Sequence, residues 1–168
     1  SSPFIDGFRY NLRTLTAMLR ERYDGVPLAY EVMPSDPGRL TSLVLDRVNW
    51  SSALWTQFEY LCDVLLLDEV TGQVRHYCDL PEDYAVSRLG DAPHYYTVGL
   101  RWGREDYGDV FAIGRHPVPD RAAESAFIHP VVRRYRGTEL IAEQHLLEDL
   151  LAEWRRPDRH INPLRAFF

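Results

Sequence analysis

The stretch RHYCDLPEDY, residues 75–84, sets His76 two positions before Cys78 and places Asp79 beside the thiol. These residue types suit a cysteine nucleophile with a histidine base, half of a metal site, or a strand end with a purely structural role. Residues two apart on a strand share a face, so a Cys78–His76 contact is geometrically open. The stretch itself supplies neither an oxyanion site nor a group to orient the imidazole.

The neighbouring hairpin partner, WTQFEYLCDVLLLD (55–68), is expected to decide among these readings. In it Phe58, Tyr60, Cys62, Val64 and Leu66 share one face, and Leu61, Asp63, Leu65 and Leu67 the other. Joining the two mainly apolar faces through a loop from Asp68 to Gly72 puts Cys62 opposite Cys78 and Val64 opposite His76. Cys78 then faces the core, where a thiol is inert, and Asp63 lies on the sheet face opposite His76. Asp79 caps a short helix with Glu82 three residues later, and Gly90 ends it. Two buried free thiols are expected in preference to a strained cross-strand disulfide.

The six histidines, His76, His94, His116, His129, His145 and His160, form no HxH, HExxH or CxxC-assisted zinc pattern. His145 and Asp149 are one helical turn apart if that segment is a helix, and a solvated helix face accounts for them. No metal and no cofactor is expected. GREDYGD (103–109) lacks calcium-loop spacing and reads as a hairpin loop. The aromatic run HYYTVGLRW (94–102) resembles a base-stacking surface but is better read as core.

All 19 basic residues are arginine, because the sequence contains no lysine. That excludes a phosphate-loop lysine, a Schiff-base lysine and the enzyme classes built on them. Arg133, Arg134 and Arg136 form an anion-binding candidate through their bidentate forks, although residues at a helix end also complement its dipole. Arg155, Arg156 and Arg159 form a second cluster. A net charge of −6 opposes general nucleic-acid binding and leaves it a third choice.

The elements that must position these groups follow from periodicity. Phe4, Phe8, Leu12, Leu15 and Leu19 predict an amphipathic helix over 4–23, ended by Gly25 and Pro27. Strands are expected at 28–33, 39–48, 55–68, 73–79, 94–102 and 109–114, with a turn at PSDPG (34–38). A helix capped by Asp120 is expected to run to about Tyr135 with a kink at Pro130, and another over 139–154, where Leu140, Leu147, Leu150, Leu151 and Trp154 form a stripe. The expected fold is α+β: a single antiparallel sheet of about six strands, with an N-terminal helix and C-terminal helices packed on one face. Residues 1–157 make one domain, and 158–168 a C-terminal tail. No apolar run approaches the roughly 20 residues of a membrane span, and no signal core follows a basic start, so a cytoplasmic protein is expected.

Together these features predict a noncatalytic protein–protein interaction module, of the adaptor, inhibitor, immunity or assembly-subunit kind. Its contact surface would be the C-terminal helix with Arg155, Arg156, Arg159, Phe167 and Phe168, facing another protein or a second copy. The alternative is a small-molecule pocket or enzyme with His76 as acid or base, assisted by Asp63, Tyr60 and Tyr96.

Overall fold

The computed structural model describes residues 5–103, 108–109, 113–115 and 118–168. A short turn, Ile5–Gly7, leads into helix α1 (Phe8–Asp24), which stops where Gly25 takes a left-handed φ of 68° and its N–H bonds the Arg20 carbonyl. Strand β1 (Glu31–Pro34) follows, then α2 (Pro37–Trp50) and the single-turn α3 (Ser52–Thr56). Strands β2 (Leu61–Asp68) and β3 (Gln73–Pro81) form a hairpin and lead to α4 (Glu82–Arg88) and β4 (Tyr95–Arg101). A second hairpin, β5 (His129–Arg136) and β6 (Glu139–His145), precedes the C-terminal α5 (Asn162–Phe167).

The six strands form one antiparallel sheet in the order β1-β3-β2-β4-β5-β6, with helices at both ends of the chain, an α+β fold. One face carries Leu61, Leu65, Val74, Val98, Leu100 and Val132 beneath α2, α3, Trp154 and Leu164. The other face carries Cys62, Val64, Tyr77, Tyr95 and Tyr135, and is covered by Leu28 and by Ala85 and Leu89 around α4. Tyr95 and Tyr96 are both buried, in agreement with the core reading of the aromatic run.

Three expected elements change identity. Residues 39–48 form most of α2 instead of a strand. Asp36 caps this helix by accepting the Arg39 N–H at 2.9 Å, and Pro37 occupies the first turn, so the expected turn at 34–38 is largely a helix start. Leu40, Thr41, Val44, Leu45 and Val48 are its buried stripe. The helix expected from Asp120 is only a 3₁₀ segment, Pro119–Glu124, after which HPVVRRYR becomes β5. β-Branched residues around Pro130 favour a strand over a kinked helix. The helix expected over 139–154 is β6 followed by irregular chain, because Gly137 adopts a φ of 57° and turns the chain back as a hairpin. The expected 55–68 strand divides into α3 and β2. The strand expected at 109–114 includes residues 110–112, outside the described residues, as does most of the 103–109 loop.

The irregular segment after β6 is held by side chains. Leu146, Leu147 and Trp154 are buried, Trp154 stacks on Trp55 with ring centroids 5.6 Å apart, and the Asn49 amide bonds both the N–H and the carbonyl of Trp154. Beyond it, a wide helical turn, Pro157–Ile161, and α5 fold back onto α2. Leu164 enters the main core, and Phe167 and Phe168 set their edges against the Tyr96 ring at 5.9 and 5.1 Å. Among the described residues no helix is long and apolar enough to cross a membrane.

Because Leu164 is fully buried, Leu164→Ala should cost about 2–5 kcal/mol in urea unfolding, by lost burial and the cavity left behind. An unchanged midpoint would mean that residues 158–168 are an appendage and not part of the domain.

Candidate functional site

The β2–β3 hairpin departs from the expected register, and that departure builds the site. From Asp68↔Gln73 to Val64↔Tyr77 the pairing is one residue off the expected one, so His76 lies opposite Leu65. Cys62 then pairs with Leu80, which leaves Cys78 and Asp79 together opposite Asp63 alone. This two-against-one arrangement is a β-bulge, a device that bends a strand and re-aims its side chains. Asp79 adopts a left-handed φ of 56°, uncommon for a residue with a side chain. It is held there by its N–H, which donates to Asp63 Oδ1 at 3.1 Å, and by its carbonyl, which accepts from Thr14 Oγ1 at 2.8 Å.

The consequence is a cluster around one buried carboxylate. Asp63 accepts from His76 Nε2 at 2.8 Å, from Arg47 Nε, and from Arg47 Nη2 at 2.9 Å. Arg47 Nη2 also bonds Asp79 Oδ1 at 2.7 Å, and Arg13 of α1 ion-pairs with the other Asp79 oxygen. Cys78 Sγ lies 3.6 Å from His76 Nε2 and is exposed, whereas Cys62 is buried; both are free thiols.

The surroundings set the charges. Burial disfavours the His76 imidazolium, but the hydrogen bond and charge of Asp63, with help from Cys78, outweigh it and raise His76 to about 9. Burial likewise opposes ionisation of Asp63, yet His76 and Arg47 hold its carboxyl below the usual range. Burial and the Asp63 charge push Asp79 up despite Arg47 and Arg13. Burial pushes the Cys62 thiol far up and leaves it inert. At neutral pH His76 is therefore a proton donor and not a free base.

These groups open into a pocket of about 490 Å³ between α1, β1 and β3. Arg13, Arg47, His76, Cys78 and Asp79 form its polar side, and Ala17, Leu28, Tyr30 and Leu80 its apolar wall. The volume falls within the range of small-ligand sites. Asp63, His76 and Cys78 each place a ligand atom within 4.8 Å of the others, a spacing that a cation could bridge. The Arg47 guanidinium already stands on both Asp63 oxygens, so a second cation there would meet it at close range. The donor set fits a proton-bearing ionic cluster better than a metal.

Comparison with known proteins finds similarity over nearly the whole chain. It is 30% identical to the FAD-dependent oxidoreductase domain-containing protein 2 of Mus musculus, covering 98% of this chain and 28% of that protein. The same-named protein of Danio rerio is also 30% identical, over 98% of this chain and 26% of its own length. The chain thus spans about a quarter of the relatives it matches. No family model and no solved structure matches.

Of the four residues expected in a catalytic set, the fold brings His76 and Asp63 together. This corrects their expected placement on opposite faces, because the hairpin closes one residue tighter than expected, with Asp68 opposite Gln73, and so sets His76 opposite Leu65 on the Asp63 face. Tyr96 is turned into the core against Phe167 and Phe168, and Tyr60 is exposed in the turn before β2, its carbonyl accepting the Glu82 N–H. Asp79 is not the expected cap: α4 starts at Glu82 with Pro81 before it. Arg133, Arg134 and Arg136 lie on a strand and not at a helix end, and Arg133 is ion-paired with Glu82 and Glu143. His145 Nδ1 lies 2.8 Å from His129 Nε2, while Asp149 accepts N–H groups of its own loop, so the pair is not one helical turn apart. Arg155 lies over the Trp50 ring, and Arg159 is 3.9 Å from Asp158. Sequence reasoning missed Arg47 and Arg13; the helical stripe of 39–48 was the signal that would have placed Arg47 over β2.

The network should show in the pH dependence of stability. His76, raised in the folded state, contributes fully below its ordinary value near 6.5 and loses that contribution as pH rises through about 9. Asp63, lowered, contributes above its ordinary range and loses it as pH falls. Asp79, raised, acts in the opposite sense. Asp63→Asn should cost about 3–5 kcal/mol and remove the alkaline loss, because it strands Arg47 and His76. Urea unfolding of both proteins across the alkaline range checks this; parallel pH profiles would contradict it.

Proposed function

We propose that this chain is a noncatalytic interaction module that docks onto a FAD-dependent oxidoreductase unit through the outer face of α1. The observation that carries this reading is an amphipathic helix turned the wrong way round for a self-contained domain. Tyr10, Arg13, Thr14, Ala17 and Glu21 face the body of the protein, where Thr14 bonds β3 and Glu21 holds Arg88 and Tyr84 around α4. The apolar stripe lies on the opposite side, with Phe8, Leu12, Leu15 and Leu19 exposed by 54%, 62%, 49% and 45%.

An amphipathic helix normally buries such a stripe, and a contiguous exposed apolar face marks an interaction site. Arg9, Arg20 and Arg22 flank it and would meet an acidic rim. The choice of partner rests on the similarity: in proteins named for a FAD-dependent oxidoreductase domain, a segment like this one takes up about a quarter of the length. Every described strand pairing here is antiparallel, whereas dinucleotide phosphates commonly rest on the strand-to-helix turns of parallel βαβ units. We therefore assign flavin binding to the partner unit and docking to this one. The reading keeps the cytoplasmic location expected from the sequence, and it moves the contact surface from the C-terminal residues to α1.

The test is sedimentation of this chain with the flavin-bearing polypeptide to which it is joined or beside which it is encoded. The expected result is a 1:1 complex whose affinity falls at least about tenfold in Leu12→Glu and Leu19→Glu, with unchanged far-ultraviolet dichroism because both positions are exposed. Equal binding by the variants, or occupation of the face by a second copy of this chain, would overturn the proposal.

A further inference from the structure

We propose that Cys78 is a thiol–disulfide exchange site, taking a small disulfide in the pocket between α1, β1 and β3, with His76 as the proton donor to the departing sulfur. Four features converge on it. The thiol is exposed at the mouth of a pocket large enough for a small ligand. The imidazole stands 3.6 Å from the Cys78 sulfur, beside the place where a substrate disulfide would be attacked and its second sulfur displaced. Asp63, itself gripped by Arg47, fixes that ring, so the orienting group that exchange chemistry needs is built into the sheet. The bulge that contains Cys78 carries an uncommon backbone conformation at Asp79, and such local cost is characteristic of functional sites.

The step balances without an external oxidant or reductant. The Cys78 sulfur, having given its proton to solvent, attacks one sulfur of R–S–S–R. A Cys78–S–S–R bond forms as the original disulfide breaks, and the departing sulfur takes the proton of the His76 imidazolium to leave as R–SH. Water then restores the imidazolium. The substrate disulfide is reduced to one thiol and one mixed disulfide, and Cys78 is oxidised to match. Leu28, Tyr30 and Leu80 offer an apolar wall to the substrate, and Arg13, whose side chain is mostly exposed, offers a cation to any carboxylate it carries.

Cys62 is the internal control. It lies on the opposite sheet face, fully enclosed, and has no part in the reaction. The proposal is also independent of docking through α1, since loss of the docking face would leave the pocket intact.

Oxidised glutathione is the probe. The native protein should gain one glutathione mass at Cys78 and none at Cys62, at least about tenfold faster at neutral pH than the same thiol in the chain unfolded in urea. That comparison needs no variant. His76→Gln, checked for folding by circular dichroism, should slow the reaction about tenfold, and Cys78→Ser should abolish it. A native rate no faster than the unfolded one would overturn the proposal, as would a folded His76→Gln protein with an unchanged rate. So would stoichiometric zinc that is lost in Cys78→Ser.

Discussion

A carboxylate buried in the middle of a sheet is the constraint on which the rest of this structure depends. Asp63 sits in β2, almost without solvent contact, and an ionised group there is tolerable only when its lone pairs are matched by donors. The fold supplies them from three directions: the guanidinium of Arg47 from α2, the imidazole of His76 from β3, and the backbone N–H of Asp79 from the bulge. Each donor fixes a larger piece of the molecule. Arg47 ties α2 to the sheet, Asp79 sets the two-against-one pairing, and Arg13 and Thr14 draw α1 onto the same bulge. The polar cluster is thus a joint among α1, α2 and the central hairpin, with the apolar core beside it.

The same constraint explains why the fold class was legible in the sequence while the site was only half legible. The stop of α1 at Gly25, the β2–β3 turn at Gly72, and His76 with Asp63 as candidates were all open to inspection, because they rest on local chemistry. The register was not. A strict period of two with a loop from Asp68 to Gly72 predicts one facing surface; pairing Asp68 with Gln73 exchanges it for the other, and the extra residue at Cys78–Asp79 shifts the pairing once more beyond Val64. Arg47 lies 16 residues before Asp63, and Arg13 lies 66 before Asp79. Those partners are created by tertiary packing, which periodicity alone does not encode. The helix and strand exchanges at 39–48 and 129–145 have a related origin: apolar runs in both segments suit either period, and capping at Asp36 and the turn at Gly137 decide between them.

The two cysteines show how much one residue of register changes. In the expected register Cys62 and Cys78 would face each other across the strands and share an environment. Here Cys62 pairs with Leu80 and stays among apolar groups, while Cys78 is delivered to the opposite face beside an imidazolium. Thiol chemistry follows environment more than residue identity. The residue that sequence reasoning set aside as inert is therefore the one the structure presents to solvent.

Helix α1 connects the two halves of the functional reading. Its inner face contributes Arg13, Thr14 and Ala17 to the pocket wall, and its outer face carries the exposed stripe. A helix with its side chains is roughly 10 Å across, so a unit seated on the stripe would stand one helix diameter from the chamber that holds Cys78. The inner face of α1 is held by the Thr14 bond, the Arg13 ion pair, the Glu21 bonds and an Asn11 amide that donates to the buried Gln57 at 2.7 Å, with Tyr10 and Ala17 packed on the two cores. The Arg13–Asp79–Arg47 chain thus joins the helix that carries the exposed stripe to the carboxylate at the centre of the sheet.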